Sequence, residues 1–152
     1  MKRNEILVYI ASPFFNESQL SMVYYIEDSL ETHGISFHSP RTSGIIKHLP
    51  QEEKEAKAKE TFEKDVYYLR QCNLMIAVID GFDPGTVWEM GHFFAHGKRI
   101  ATITNEKKML NIMLRESVVA HLYGINELNN LLLNIESDTI FSQFHCQARD
   151  IE

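Results

Sequence analysis

The sequence predicts an α/β protein with a flavodoxin-like (Rossmann-type) three-layer sandwich, built on a five-stranded, mainly parallel sheet in the order 2-1-3-4-5. Two features predict this class. Short apolar runs alternate with longer helix-forming segments along the chain, and Gly or Pro residues stand at most of the boundaries between them. Strands that alternate with helices build parallel sheets through right-handed crossovers. A length of 152 residues fits one domain, so we expect a single domain over residues 1–152.

The first third of the chain predicts two strands and a helix. Ile6–Ser12 is a continuous β-prone run, typical of a strand that is covered on both faces. Asn16 is a favourable N-cap and predicts a helix that continues to about Thr32, where Gly34 stops it. The short apolar run Ile35–Ser39 predicts the second strand.

A loop over Arg41–Pro50 precedes a long polar helix over Gln51–Gln71. One apolar stripe follows this helix at helical spacing, formed by Ala58, Phe62, Val66 and Leu69. Leu74–Asp80 predicts the third strand, and Gly81–Gly85 predicts a turn. The remaining predicted elements are a helix over Thr86–His96, a strand over Ile100–Thr104, a helix over Lys107–Arg115, a strand over Val118–Tyr123 and a helix over Asn126–Glu136.

Charge and composition exclude several classes of function. The net charge is −6, and an acidic chain lacks the basic patch that nucleic acid requires, so we expect no nucleic-acid polymer as a partner. No run of 18 apolar residues occurs, so we expect no membrane span. The two cysteines, Cys72 and Cys146, are too few for a disulfide scaffold, which favours a reducing, cytoplasmic setting.

The fold class itself predicts where a site lies. In such sheets ligands bind beyond the carboxyl ends of the strands, at the switch point between the first and third strands. This places Tyr9–Phe15 and Asp80–Glu89 at the site. Carboxylates there, such as Asp83 and Glu89, can serve as nucleophile, general base or general acid. The alternative is that Asp83 caps the helix or the turn and that Glu89 only favours the positive end of the helix dipole.

Several other kinds of site lack support. No phosphate-binding glycine loop and no G-x-S-x-G elbow occur. His92 and His96 share one helix face, but no third ligand is evident, so we expect no metal and no cofactor. Ser12 either donates a hydrogen bond to a ligand or is an ordinary turn residue before Pro13.

Four segments resemble the nucleoside 2-deoxyribosyltransferase family, over about residues 6–125. The more specific two are V-Y-I-A-S-P-F-F-N-E-S-Q-L (Val8–Leu20) and D-P-G-T-V-W-E-M-G (Asp83–Gly91). The weaker two are Ser39-Pro40-Arg41, at the end of the second strand, and Asn111-Ile112-Met113, before the fifth. The resemblance implies a transferase that exchanges the nucleobase of 2′-deoxyribonucleosides through a covalent deoxyribosyl-Glu intermediate, with purine and pyrimidine bases as partners.

The resemblance also implies a role for individual residues. Glu89 would attack C1′ of the deoxyribose, and Tyr9 would hydrogen-bond and orient its carboxylate. Asp83 would protonate the departing base and then activate the incoming one. Phe14 and Phe15 would wall the nucleobase pocket.

The remaining implied residues concern substrate binding and assembly. Ser12 and Gly85 would contact substrate. Asn111 and Met113 would reach into the site of a neighbouring subunit, which implies a homo-oligomer, a dimer or a hexamer, with shared active sites. Asn73 stands where the family usually has Asp, and we expect it to meet a base edge as donor and acceptor.

Two alternative functions stay open. The same residues can hydrolyse the N-glycosidic bond when water is the acceptor. A hydrolase of 5′-monophosphates would need a phosphate cradle, for which Ser12, Ser39 and Arg41 are candidates. The third possibility is a nucleotide-binding module that has lost catalysis, and Asn73 is the one feature that favours it. The sequence leaves open whether the substrate is a nucleoside or its 5′-monophosphate.

Overall fold

A computed structural model describes residues 1–43, 48–106 and 110–144. In these residues the chain forms a five-stranded sheet in the order β2-β1-β3-β4-β5, in which every pair of neighbouring strands is parallel. The strands are β1 (Leu7–Ala11), β2 (Ser36–His38), β3 (Leu74–Val78), β4 (Arg99–Thr104) and β5 (Ala120–Tyr123). The helices are α1 (Glu17–Thr32), α2 (Gln51–Gln71), α3 (Pro84–Ala95), α4 (Ile112–Glu116) and α5 (Gly124–Leu133). The predicted fold class and strand order are confirmed.

Helices cover both faces of the sheet because the buried strands are apolar on both sides. In β1, Val8 and Ile10 belong to the core beneath α1 and α5, and Tyr9 and Ala11 belong to the core beneath α2 and α3. Side chains alternate along a strand, so one continuous apolar run can supply two cores. The result is the predicted three-layer sandwich.

The element boundaries follow local capping chemistry. The Asn16 side chain accepts from the backbone N–H of Gln19 and starts α1, as predicted. Helix α3 begins earlier than predicted, at Pro84, because Asp83 is its N-cap and proline suits the first helical position. Helix α5 also begins early, at Gly124.

Two predictions fall partly on residues 44–47 and 107–109, which lie outside the described residues. In the loop predicted over Arg41–Pro50, the chain forms a short 3-10 helix over Pro40–Ser43. In the helix predicted over Lys107–Arg115, the described residues are helical over Ile112–Glu116. The sequence predicted nothing beyond Glu136, yet a 3-10 helix over Ile140–Phe144 buries Ile140 and Phe141 in the core. Nowhere in the described part of the chain is a helix both long and apolar enough to cross a bilayer.

Candidate active site

A cavity of about 490 Å³ opens beyond the carboxyl ends of β1, β2 and β3, between α2 and α3. This is the switch point of the sheet, and the volume falls in the usual range for small-molecule sites. The lining residues come from the loop after β1, the end of β2, α2, and the start of α3. They are Ser12, Pro13, Phe14, Phe15, Pro40, Ala58, Thr61, Phe62, Asp65, Val66, Leu69, Asp83, Gly85, Trp88 and Glu89.

Tyr9 and Glu89 form a hydrogen-bonded pair at this cavity. Tyr9 is a fully buried residue of β1, and its hydroxyl donates to Oε2 of Glu89 on α3. The strand fixes the phenol, because Tyr9 points into the core beneath α2 and α3. One oxygen of the Glu89 carboxylate is therefore held, and the side chain has a defined orientation at the cavity wall.

The environment of Glu89 favours its neutral form. Burial raises the pKa of Glu89 to about 8, and the nearby charges of Asp65 and Asp83 act in the same direction. The hydrogen bond from Tyr9 opposes them, because it stabilises the carboxylate and lowers the pKa. Burial beside Glu89 also raises the pKa of Tyr9, so the phenol stays protonated and remains a donor. A carboxyl group with so perturbed a pKa in a cleft is a candidate functional group.

Asp83 caps helix α3 and also lines the cavity. Its Oδ2 accepts from the backbone N–H of Thr86 at 3.0 Å and from the Thr86 hydroxyl at 3.3 Å. Both donors use one oxygen, so Oδ1 is left to the cavity among the described residues. Asp83 is therefore the helix cap that the alternative interpretation expected, and the same side chain also lines the cavity.

The turn before Asp83 is sharply bent. Gly81 and Phe82 have φ values of 83° and 47°, in the left-handed region that non-glycine residues rarely adopt. Gly85 allows Asp83 to stay close, because a Cβ at Gly85 would stand 3.1 Å from Asp83 Oδ2. The backbone after β3 is therefore shaped to present the Asp83 carboxylate at the helix start.

The loop after β1 contributes two aromatic side chains to the cavity wall. Phe14 and Phe15 lie against each other, with ring centroids 5.1 Å apart, and both line the cavity. Ser12 lines it too, but its hydroxyl donates to the carbonyl of Pro13. The hydrogen bond of Ser12 is thus the one expected of a turn residue, although Ser12 also lines the cavity.

Helix α2 supplies cavity-lining residues that the sequence did not predict to be at the site. The apolar stripe Ala58, Phe62, Val66 and Leu69 lines the cavity, and of these only Leu69 is buried. Asp65 stands on the same face and places a carboxylate among these apolar side chains. Trp88 of α3 also lines the cavity, and together with the exposed rings of Phe15 and Phe62 it forms an aromatic rim. The signal that could have found Asp65 is its position, since it is an acidic residue three and four positions from Phe62 and Leu69, on the apolar face of a polar helix.

Asn73 is not at the site, and the prediction that it meets a base edge is wrong. It precedes β3, so it lies at the amino edge of the sheet, opposite the cavity. Its Oδ1 accepts from the backbone N–H of Leu7 at 3.0 Å, and its Nδ2 donates to the Glu5 carbonyl at 2.7 Å. The amide therefore joins the starts of β1 and β3.

Asn111 and Met113 do not line the cavity of their own chain. Asn111 caps α4, where its Oδ1 accepts from the backbone N–H of Met113 at 2.9 Å. Met113 is 76% exposed and Ile112 is 51% exposed. These two apolar side chains face away from the core of the chain.

His92 of α3 and His96, which caps the C-terminus of that helix, stack on each other. His92 stacks between Trp88 and His96, and the His92 and His96 ring centroids are 4.3 Å apart. His96 Nδ1 is hydrogen-bonded to the backbone carbonyl of His92. Within residues 1–43, 48–106 and 110–144, no group of three or more His, Cys, Asp or Glu side chains could hold a metal ion.

Comparisons with known proteins identify a matching family and similar solved structures. The model of the nucleoside 2-deoxyribosyltransferase family covers residues 8–136. A solved 2-deoxyribosyltransferase from the psychrotolerant bacterium Bacillus psychrosaccharolyticus is similar, with a TM-score of 0.72 and 28% identity over 82% of this chain and 90% of that chain. A conserved protein from Enterococcus faecalis V583 shares the fold, with a TM-score of 0.54 and 18% identity over 92% of this chain and 79% of that chain.

No curated protein sequence matches the chain. The family match nevertheless spans both specific motifs, the strand that carries Tyr9 and the helix that carries Glu89. The resemblance inferred from the motifs is thus confirmed, and the chain belongs to the nucleoside 2-deoxyribosyltransferase family.

Proposed function

We propose that this protein exchanges the nucleobase of 2′-deoxyribonucleosides through a covalent deoxyribosyl intermediate on Glu89. The observation that carries the proposal is the Tyr9–Glu89 hydrogen bond at the wall of an aromatic-lined cavity that also contains Asp83. Such a cavity offers a nucleophile, a proton donor and flat apolar walls to one small molecule. The similar structure from Bacillus psychrosaccharolyticus is that of a 2-deoxyribosyltransferase, which supports the same reaction.

The first half of the reaction breaks the glycosidic bond. An oxygen of the Glu89 carboxylate forms a bond to C1′ as the bond from C1′ to the base nitrogen breaks and its electron pair leaves with the base. Asp83 gives a proton to the departing base. The transition state resembles an oxocarbenium ion, and a carboxylate beside C1′ stabilises its positive charge.

The second half reverses these steps with another base. Asp83, now a carboxylate, removes a proton from the incoming base, whose nitrogen attacks C1′ and releases Glu89. Two displacements on one carbon restore the original anomeric configuration and give ping-pong kinetics. Because burial raises the pKa of Glu89 to about 8, we expect the exchange rate to increase with pH as this nucleophile ionises.

The walls of the cavity suit a nucleobase. Phe14, Phe15, Phe62 and Trp88 present aromatic surface, and flat heterocycles stack favourably on such rings. Phe15, Phe62 and Trp88 are each more than half exposed, so the rim is open in the single chain. We propose that a second copy covers this rim with its Asn111-Ile112-Met113 segment, in a closed symmetric assembly.

Light scattering combined with activity measured on dilution tests the assembly. The expected result is that activity falls as the oligomer dissociates, and that Met113→Glu both weakens assembly and lowers activity. A fully active monomer would contradict the shared site and would leave Asn111 as an ordinary helix cap.

The phosphate cradle considered for a nucleotide hydrolase lacks support in the cavity. Arg41 is paired with Glu27 through two hydrogen bonds of 2.8 and 2.7 Å. Ser39 is buried and is not part of the lining. Among the described lining residues there are three carboxylates and no Lys or Arg. This charge favours an unphosphorylated nucleoside over its 5′-monophosphate.

Incubation with thymidine and adenine separates transfer from hydrolysis. Deoxyadenosine with free thymine is the expected product pair. Free deoxyribose without deoxyadenosine would make the protein a hydrolase, and no reaction would favour a module without catalysis.

Replacing Glu89 tests the covalent step. Glu89→Ala should abolish base exchange, and a 2-fluoro-2-deoxy nucleoside should leave a sugar adduct on Glu89 of the intact protein. Glu63→Ala, which removes an exposed carboxylate of α2, is the matched control and should retain full activity. An adduct that mass spectrometry locates on another residue would refute the assignment.

A further inference from the structure

The end of strand β2 holds a histidine in a fixed position beside the catalytic pair. His38 is the last residue of β2 and lies in register with Tyr9 on the neighbouring strand. Its side chain is 6% exposed. Its ring stacks on Tyr68 of α2 with centroids 3.9 Å apart and planes 6° apart, and lies 5.5 Å from the Tyr9 ring. Two aromatic neighbours therefore fix the plane of the imidazole.

This fixed ring directs one nitrogen at the cavity carboxylate of α2. His38 Nε2 lies 3.1 Å from Asp65 Oδ1, and the Ser43 hydroxyl donates to the same oxygen at 3.1 Å. Because a carboxylate only accepts, the proton of the pair is assigned to Nε2. No other described residue donates to Asp65, so its Oδ2 remains available in the cavity.

The hydrogen-bond partner of His38 differs from those of His33 and His96, which end helices α1 and α3. His33 Nδ1 is hydrogen-bonded to the Ser29 carbonyl, and His96 Nδ1 to the His92 carbonyl, each four residues earlier in its own helix. Such bonds satisfy backbone carbonyls near the C-terminal ends of these helices. His38 instead bonds a side chain 27 residues away that lines the cavity and whose charge acts on Glu89.

We propose that His38 is a positioning residue that fixes the Asp65 carboxylate, so that one oxygen is anchored and the other is directed at the bound nucleoside or base. The inference rests on the proposed function of the cavity. A carboxylate that is free to rotate would present its acceptor to substrate for only part of the time. Without His38, the Ser43 hydroxyl would be the one described donor left to this partly buried charge among the apolar side chains of α2, and the loss of a hydrogen bond there is costly.

Three substitutions separate the hydrogen bond from the packing. His38→Phe keeps a flat ring for the stack on Tyr68 and removes the donor. His38→Gln places an amide N–H near the position of Nε2, whereas the shorter His38→Asn does not reach it. We expect kcat/KM for exchange between thymidine and adenine to fall about 10- to 100-fold in His38→Phe and His38→Asn, the usual worth of a hydrogen bond to a charged group. His38→Gln should recover most of this loss.

A double-substitution cycle with Asp65→Asn shows whether His38 acts through Asp65. The expected result is that His38→Phe costs little more once Asp65 is already changed. Losses that multiply would overturn the proposal, as would an Asp65→Asn variant with full activity or a His38→Gln variant as slow as His38→Phe. Melting temperatures show whether each variant is folded. If His38→Phe does not fold, His38→Asn replaces it in the double-substitution cycle.

The wild-type reaction keeps this inference distinct from the proposed function. If the unchanged protein neither exchanges nor hydrolyses thymidine, the proposed function fails by itself. The affinity for thymidine is then measured by calorimetry for the wild type, His38→Phe, Asp65→Asn and the double variant. This measurement tests the positioning role of His38 without a reaction. Equal affinity of wild-type and His38→Phe protein in that measurement would overturn the positioning role.

Discussion

The two edges of the sheet use polar side chains in opposite ways. At the amino edge, both polar atoms of the Asn73 amide are bonded to the backbone, at Leu7 and Glu5. At the carboxyl edge, Asp65 and Asp83 each engage one oxygen and leave the other to the cavity, among the described residues. A fully bonded amide holds strands together, whereas a half-bonded carboxylate is both oriented and able to bind a ligand.

The role of a polar residue next to a strand can therefore be predicted only when it is known whether the residue lies at the amino or the carboxyl edge of the sheet. Asn73 stands directly before β3, and Asp83 follows the turn after it. Parallel strands all point the same way, so these residues are separated by the full length of β3. Changes at the carboxyl edge should therefore alter catalysis with little effect on stability, and changes at the amino edge should do the reverse.

Among the changes that compare the two edges of the sheet, the largest effect is expected from Asp83→Asn. Asparagine caps helices as well as aspartate, so the start of α3 and the fold should be retained, while the proton donor is lost. Exchange should slow by about 10²- to 10⁴-fold, the usual worth of general acid–base catalysis. Rates should be measured for substrates with poor and with activated leaving groups, since the latter need less protonation. Equal losses for both types would mean that the role of Asp83 is structural.

Tyr9→Phe should move the pH dependence of the reaction. The hydrogen bond from Tyr9 lowers the pKa of Glu89, which burial raises to about 8. Its removal should raise that pKa further, so that the pH at which kcat/KM reaches its plateau moves to a higher value. At neutral pH the rate should fall, and at alkaline pH part of it should return. A profile that only drops, with an unchanged midpoint, would show that Tyr9 does not tune Glu89.

Gly85→Ala tests how closely Asp83 must be held. The added Cβ would stand 3.1 Å from Asp83 Oδ2, closer than ordinary contact, so the carboxylate must shift by a few tenths of an ångström. We expect a loss in kcat of about 3- to 10-fold with a melting temperature near that of the wild type. Gly91→Ala on the same helix, where a Cβ meets no atom within 4 Å, is the matched control and should keep full activity.

The smallest effect on catalysis is expected from Asn73→Asp. The substitution removes the Nδ2 donor to the Glu5 carbonyl and places a carboxylate oxygen against it. Stability should fall by about 0.5–1.5 kcal/mol, the usual net worth of one hydrogen bond, because the bond to the Glu5 carbonyl is exposed. Base preference should not change, and denaturant unfolding together with competition between adenine and thymine measures both. A changed base preference would return Asn73 to the site.

Helices α1 and α2 show how far a hydrophobic pattern can be interpreted. Both carry an apolar stripe at helical spacing. Met22, Ile26 and Leu30 of α1 are buried in the core, whereas the stripe of α2 lines the cavity and buries only Leu69. The spacing determines which side chains share a face, because the helical period is local. What covers that face depends on neighbouring elements that arrive from elsewhere in the chain.

The sequence by itself determined the order of strands and helices, the parallel sheet, and the segments that end at its carboxyl edge. These follow from short-range patterns of apolar residues, caps and turns. It also predicted Tyr9, Asp83 and Glu89, because they lie in the two segments that the fold class assigns to the site and in the motifs that resemble the family.

Only the tertiary structure decided which other side chains meet there. Asp65 and His38 are 27 residues apart and belong to different elements, and their contact depends on how α2 packs beside β2. The same packing sets the burial that raises the pKa of Glu89 to about 8. Such contacts cannot be predicted from the separation of two residues along the chain, because side chains from separate elements meet only when the helices pack on the sheet.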